Sequence, residues 1–373
     1  MQGSDVARPS LHHNQATTSG GGFSADSSAI SVTIINADVY SNTANIGGGG
    51  HSIGNHSVTL INARFVDNIA TTYGGGLNMA LGVVARISAN MSPIDSGARG
   101  EASCASDSLP AGHTCSQFQG NQSLFGAAIH LRGATLYMTQ TAITENRGTI
   151  PFNTSVLDLV DSHIDNNKIT LDTVLFRDNT NTEYLISLLD SVDIVIQNST
   201  LFRNAGITLH TIAAVNSVQI DRSIIWGNTE GTEIDPAVVF SSDCNIAQAQ
   251  VAGSQAFGAI NDSSSDPLLI GLGYLSANSP AIDACAGGEA ADLDGRVRPI
   301  DADNMTIGTE YDRGVFEFDP TVTPTAVTIR GASNSAEISL AVTRSAILLF
   351  AIILSIYSLA LFPNNFAASR RKS

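Results

Sequence analysis

The residues best equipped for chemistry lie in two acidic runs and one basic group. The stretch DSHIDNNK carries Asp161, His163, Asp165 and Lys168. Asp161 and Asp165 are an even number of positions apart, so on a strand both carboxylates leave the same face. Two carboxylates on one face are the equipment of glycoside hydrolysis, in which one protonates the leaving oxygen and the other activates water or attacks. His163 shares that face, however, and the segment runs into a turn. With no adjacent Asp-Asp pair, HGxG or RxK nearby, a solvated strand face accounts for the same residues. His130 and Arg132, with Arg147 and Lys168, could supply the base and charge neutraliser that a polysaccharide lyase needs. The second acidic run, DLDGRVRPIDAD, offers Asp292, Asp294, Asp301 and Asp303 as oxygen ligands for Ca2+. It lacks the spacing and closing glutamate of an EF-hand, and a turn held by Arg296 and Arg298 is the alternative. No other cofactor is suggested, and no CxxC or Cys/His cluster points to another metal.

Whatever positions these groups is written in a repeat. SVTIINADVYSNTANIGGGG begins at Ser31, and SVTLINARFVDNIATTYGGG begins 26 residues later at Ser57. The kernel is apolar-x-apolar, a polar residue, then apolar-x-x-Asn. It ends at Asn42, Asn68, Asn121, Asn146, Asn167, Asn179, Asn204 and Asn228, mostly 21 to 26 residues apart. The gap from Asn68 to Asn121 is 53 residues, about two periods, and holds an insertion at about 88–117. The gap from Asn167 to Asn179 is 12, so one of these two lies outside the main row. Alternating apolar positions give short strands with one buried face, and Gly and Asn turn the chain through positive φ. A period of this length is that of a solenoid. The expected fold is all-β, a single-stranded, right-handed parallel β-helix. Asn42, Asn68, Asn146, Asn204 and Asn228 are expected to form a structural ladder, each bonding the asparagine above and below and satisfying turn backbone groups.

Composition agrees. Charged residues are only 14%, and the body up to Leu340 carries all 34 acidic side chains against 14 basic ones. Such a surface repels nucleic acid and anionic lipid. Cys104, Cys115, Cys244 and Cys285 are the only cysteines. Their even number is compatible with two disulfides outside the cytoplasm, with Cys104 and Cys115 closing a short loop. Seven Asn-x-Ser/Thr sequons, at Asn55, Asn90, Asn121, Asn153, Asn198, Asn261 and Asn304, are expected by chance in so Asn- and Ser-rich a chain.

The order along the chain is then as follows. Residues 1–19 are a polar N-terminus, disordered or truncated, without the apolar core of a signal peptide. Residues 20–265 are the repeats, 266–318 a capping segment for the end of the stack, and 319–344 a Thr/Ser/Ala-rich spacer. SAILLFAIILSIYSLALF, residues 345–362, has no charge and is long enough to span a bilayer. Arg370, Arg371 and Lys372 in the tail, 363–373, put that end in the cytoplasm.

Two resemblances follow from these motifs. GGGG at Gly47, GGGL at Gly74 and GAAI at Gly126, with FVDN at Phe65, FQGN at Phe118 and FRDN at Phe176, resemble the repeats of polymorphic outer membrane proteins. DPLL at Asp266, SPAIDA at Ser279, DGRVRP at Asp294 and DRGVFEF at Asp312 resemble the C-terminal segment of choice-of-anchor Q proteins. That resemblance implies an extracytoplasmic β-helix with a separate anchor and no defined activity. The expected function is a non-catalytic cell-surface protein, adhesin-like or glycan-contacting, held by a single-pass anchor or released by processing. The alternative is a polysaccharide lyase or glycoside hydrolase on the same scaffold, and a tail-anchored cytosolic protein is a third.

Overall fold

A computed structural model describes residues 9–89, 115–160, 167–189, 192–211, 217–229, 241–248, 261–300 and 310–320. It is a parallel β-solenoid. One rung runs through Gly50–Ile53, Ser57–Ile61, Arg64–Val66 and Ile69–Tyr73. The next runs through Leu77–Ala80, Val84–Ser88, Ser116–Gln119 and Gln122–Ser123. Each strand pairs in parallel with its counterpart: Leu77 with Gly50, Val84 with Ser57, Gln117 with Arg64 and Gln122 with Ile69. Stacked in this way, the described strands make a seven-stranded sheet, a fifteen-stranded sheet folded along its length, and a four-stranded sheet. The twin segments that open at Ser31 and Ser57 are paired in register over five residues, so the 26-residue identity is a stacking relation.

The alternation in sequence becomes an inside and an outside. Val58, Leu60, Phe65, Leu77, Met79, Ala85 and Ile87 are buried in one core that continues through Ile129, Leu136, Phe176 and Ile194. Phe65 and Phe118, the aromatics of two FxxN motifs, stack with centroids 4.9 Å apart. Left-handed residues recur at two corners along the long sheet. One falls midway along the long sheet, at Asn36, Asn62, Gln140, Thr173, Asn198, Arg222 and Cys244, with φ between 42° and 57°. The other falls on the residue before each kernel asparagine, as at Ser41, Asp67, Gly120 and Glu145. In the glycine runs the first residue takes positive φ, 66° at Gly47 and 65° at Gly74. The next two have no room for a Cβ: at Gly48 and Gly49 it would lie 2.6 and 2.5 Å from the carbonyl oxygens of Gly75 and Gly76.

The asparagines line the inside of the second corner. Each side-chain amide donates to the Oδ1 of the next: Asn14 to Asn42 at 2.9 Å, then Asn68, Asn121, Asn146 and Asn179, each at 3.0 Å. The file continues to Asn204 at 2.8 Å and Asn228 at 3.1 Å. The same Oδ1 atoms accept the backbone N–H of the residue below, and each Nδ2 also reaches a carbonyl, as Asn146 does at Phe118. The row therefore includes Asn14, Asn121 and Asn179 besides the five expected members. Asn179, not Asn167, occupies it, because Asn167 opens the strand Asn167–Arg177 on another side of the coil.

Three boundaries differ from the sequence reading. The solenoid begins before residue 20: Ser10–His12 pairs with Asp38–Tyr40, and His12 stacks on Tyr40 at 4.7 Å. The polar N-terminal run misleads because its outward positions are polar and it carries no glycine run. Asn68 bonds directly to Asn121, so the 53-residue gap is one rung with an insertion, not two periods. Finally, the segment from 266 does not simply close the end of the stack. It lies along the side as a strap. Its Leu293, Val315 and Phe316 pack on Cys115 and Leu175. Its backbone meets Gln140 through Asp292, Thr200 through Val315 and Arg222 through Gly314. Outward apolar side chains such as Leu175 and Ile224 need that cover.

A disulfide fixes the strap: Cys244 and Cys285 are bonded across 41 residues, with Cα atoms 5.9 Å apart. Cys115 is also disulfide-bonded, while Cys104 lies outside the described residues. So does 345–362; among the described residues no helix is long and apolar enough to cross a membrane.

The ladder generates the first prediction. Asn146→Ala leaves buried N–H and carbonyl groups of three rungs without partners, at roughly 1–3 kcal/mol each. Chemical denaturation is expected to show a loss of at least ~2 kcal/mol, against under ~0.5 kcal/mol for Thr180→Ala on the exposed surface.

Candidate functional site

On the seven-stranded sheet, residues between core positions point away from the core. Asn78 lies between Leu77 and Met79, and His130 between Ile129 and Leu131, all four of them core residues. Register puts these outward residues in one file: His51, Asn78, His130, Asp158, Ser187 and His210 on six successive rungs. Two neighbouring pairs in the file are hydrogen-bonded. Asn78 Nδ2 and His51 Nδ1 are 2.8 Å apart. Burial holds the His51 imidazole below its ordinary pKa, so it is neutral and can accept the amide N–H. His130 Nδ1 lies 2.8 Å from Asp158 Oδ2. Rings flank the file: Tyr73 is 4.6 Å from the His130 ring and 5.5 Å from Phe125, and Tyr184 stacks on His210 at 3.9 Å. His51, Tyr73, Phe125, Tyr184 and His210 are half-buried, and Arg132, one outward position further on, is exposed.

An imidazole held by a carboxylate is the base of many hydrolytic sites. Here His130 and Asp158 are only 3% and 2% exposed, and among the described residues no hydroxyl or thiol bonds the free ring nitrogen. The pair fixes the His130 ring, and among the described residues no activated nucleophile stands beside it.

A second cluster lies where the strap meets the first corner. Polar pairs recur there rung by rung: Asp172–Thr173, Gln197–Asn198, Asp221–Arg222 and Asp243–Cys244, stacked in register. Asp172 is buried and accepts hydrogen bonds from Gln197 at 2.6 Å, Asn198 at 2.8 Å and Thr173 at 3.2 Å. Arg222 in turn donates to Asn198 at 3.0 Å and to Gln197 at 3.4 Å, fixing both amides. Glu289 of the strap shares a hydrogen bond with Asp172; that bond, its loss of water and the Asp172 charge push its carboxyl up to about 7. Two carboxyls in contact, one of them with a raised pKa, are an acid–base pair in form.

The residues singled out from sequence are dispersed. Asp161, His163 and Asp165 lie outside the described residues. Lys168 is exposed at the start of its strand, in register with Asp193. Arg147 is exposed on the four-stranded sheet, beside Gln122. Of the aspartates considered for Ca2+, Asp301 and Asp303 lie outside the described residues. Asp292 is fully buried and accepts the backbone N–H groups of Arg296 at 2.7 Å and Glu317 at 3.1 Å. Asp294 accepts from Tyr274 at 2.8 Å and lies 3.8 Å from Arg296. Among the described residues no three acidic, His or Cys side chains are placed to hold a metal. Arg298 is buried against Glu317 at 3.2 Å, so this run holds the strap together. Two sequons, Asn121 and Asn198, are 0% and 1% exposed and closed to modification. Profiles of known families, curated proteins and solved structures were compared with the chain, and none matches it.

Sequence reasoning found His130 but not its file. The signal was present: HSI, LNM, IHL, LDL, ISL and LHT each put a polar residue into an apolar strand once per rung. Glu289 carried none, since 117 positions separate it from Asp172.

The strap gives a pH prediction. Burial, with the neighbouring Glu317 charge, pushes Asp312 up to about 8. Groups whose folded pKa is raised stabilise most below their unfolded pKa, and that contribution is lost as pH rises through the folded value. For Glu289 and Asp312 the window runs from about 4 to about 8. Thermal unfolding is expected to show a midpoint that falls from pH 5 to pH 8. Glu289→Gln, which keeps a neutral partner for Asp172, should flatten the fall; equal slopes would contradict this account.

Proposed function

We propose that the protein is a non-catalytic cell-surface rod that contacts glycans along the outer face of its seven-stranded sheet. The carrying observation is the file from His51 to His210 with Tyr73, Phe125 and Tyr184 beside it. Half-buried rings offer flat apolar surface, and the half-buried imidazoles of His51 and His210 offer hydrogen bonds, the two things a sugar chain requires. Rungs spaced ~4.8 Å apart repeat those contacts along the rod. The acidic body favours neutral over polyanionic chains and disfavours nucleic acid. The Cys244–Cys285 disulfide supports an oxidising, extracytoplasmic setting over a cytosolic one. Support for a right-handed coil of the choice-of-anchor Q kind, held by residues 345–362 with its tail in the cytoplasm, comes from the DPLL, SPAIDA and DGRVRP segments and from the apolar run.

A hydrolase or lyase is the second reading, favoured by the Asp172–Glu289 pair. Against it, the two carboxyls share a hydrogen bond, closer than the roughly 5–9.5 Å that glycoside hydrolysis requires between its carboxyls. Gln197, Asn198 and Thr173 already occupy Asp172.

Binding of the full chain to neutral polysaccharides, followed by co-sedimentation, tests the first reading. Tyr73→Ala with Tyr184→Ala is expected to weaken binding about tenfold, at ~0.5–1.5 kcal/mol per ring. Unchanged binding by the double variant would refute it. New reducing ends from acidic or neutral polysaccharides, abolished by Asp172→Asn or Glu289→Gln, would establish the second reading instead.

A further inference from the structure

The outer face of the long sheet carries a second feature with a different chemistry. Phe202 and Trp226 are outward residues on adjacent rungs, paired in register. The strap runs past them as a hairpin in which Leu269 pairs with Leu275 and Ile270 with Tyr274. Between sheet and hairpin lies an open cavity of about 470 Å³, lined by Phe202, Trp226, Leu268, Ile270, Asp266 and Ser276. Leu268 and Ile270 are 41% and 39% exposed although the core of the strap lies close by. Leu268 is held with φ at 49°, in the left-handed region that a bulky residue seldom takes. The backbone there is fixed by Asp266 Oδ1, which accepts the Leu268 N–H at 2.8 Å. The other Asp266 oxygen and the Ser276 hydroxyl have no partner among the described residues.

We propose that this cavity binds a single neutral pyranose. A pyranose has one face of C–H groups, for which an indole ring is a match, and a rim of hydroxyls, for which a carboxylate oxygen and a serine hydroxyl are matches. Leu268 and Ile270 close the apolar side. Asp266 rejects uronates and sulfated sugars by like charge, as does the acidic body around it. The volume falls within the roughly 300–1,000 Å³ of small-molecule pockets. The site shares no residue with the file from His51 to His210, so either can fail without the other.

Trp226 is the chain's one tryptophan, so its emission reports on this cavity directly. Titration of the full chain with N-acetylglucosamine and glucose, with galacturonate as the charged comparison, is the test. A saturable change in emission with at least one neutral sugar is expected, with galacturonate at least tenfold weaker. Asp266→Ala and Ser276→Ala should each raise the half-saturating concentration, the former by about tenfold, since a hydrogen bond to a charged group is lost. Ser276→Ala keeps the Leu268 turn intact and so reads the contact alone. Emission that ignores the neutral sugars, or responds equally to galacturonate, would overturn the proposal. So would emission that changes with protein concentration alone, because a second copy would then fill the cavity.

Discussion

The fold depends on a turn that every rung must make inside the molecule. A chain that coils around its own core has to turn at corners where backbone N–H and carbonyl groups are shielded from water, and such groups carry a large penalty if unpaired. The asparagine file meets that constraint. An amide has two donors and a two-lone-pair acceptor, so one asparagine per rung can serve a backbone N–H and a carbonyl of the preceding rung and the asparagine of the next rung together. Asn42, Asn68, Asn121 and Asn146 do this with closely similar distances. Asp could not donate, and Ser could not reach both ways.

Once the corner is fixed, the rest of the coil is free to vary. An insertion in sequence between Ser88 and Ser116 is tolerated because Asn68 and Asn121 still meet. The faces between corners can therefore be shaped for other purposes. One carries rings and oriented polar groups; another is covered by the strap, which brings a buried Arg298–Glu317 pair and the raised carboxyls of Asp312 and Glu289 onto the rod. The strap's polar interior is secured by a disulfide as well as by two small apolar clusters.

Much of the architecture was legible in the sequence, because a solenoid repeats its instructions. The 26-residue offset between Val32 and Val58 is a strand register, and FxxN is a stacked ring followed by a ladder residue. What repetition could not reveal was anything encoded once. The strap's position follows from outward apolar residues such as Leu175 and Ile224, which read in sequence like any core position. The first rung, with His12 and Asn14, was hidden because its outward residues are polar and its strand is three residues long. Candidate sites suffered most. Proximity in sequence favoured Asp161, Asp165 and Lys168, whereas a solenoid assembles its surfaces from residues one period apart, as in His51, Asn78 and His130.

The central claim is that the asparagine corner holds the rungs together. Hydrogen exchange of the backbone amides of Asn42, Asn68, Asn121, Asn146, Asn179 and Asn204 tests it most directly, since each donates to the next asparagine at 2.8–3.2 Å. The account predicts that these six amides exchange together and as slowly as the core strand amides of Leu60 and Leu136, by global unfolding alone. Fast or unequal exchange at these positions, with the core strands still protected, would contradict it.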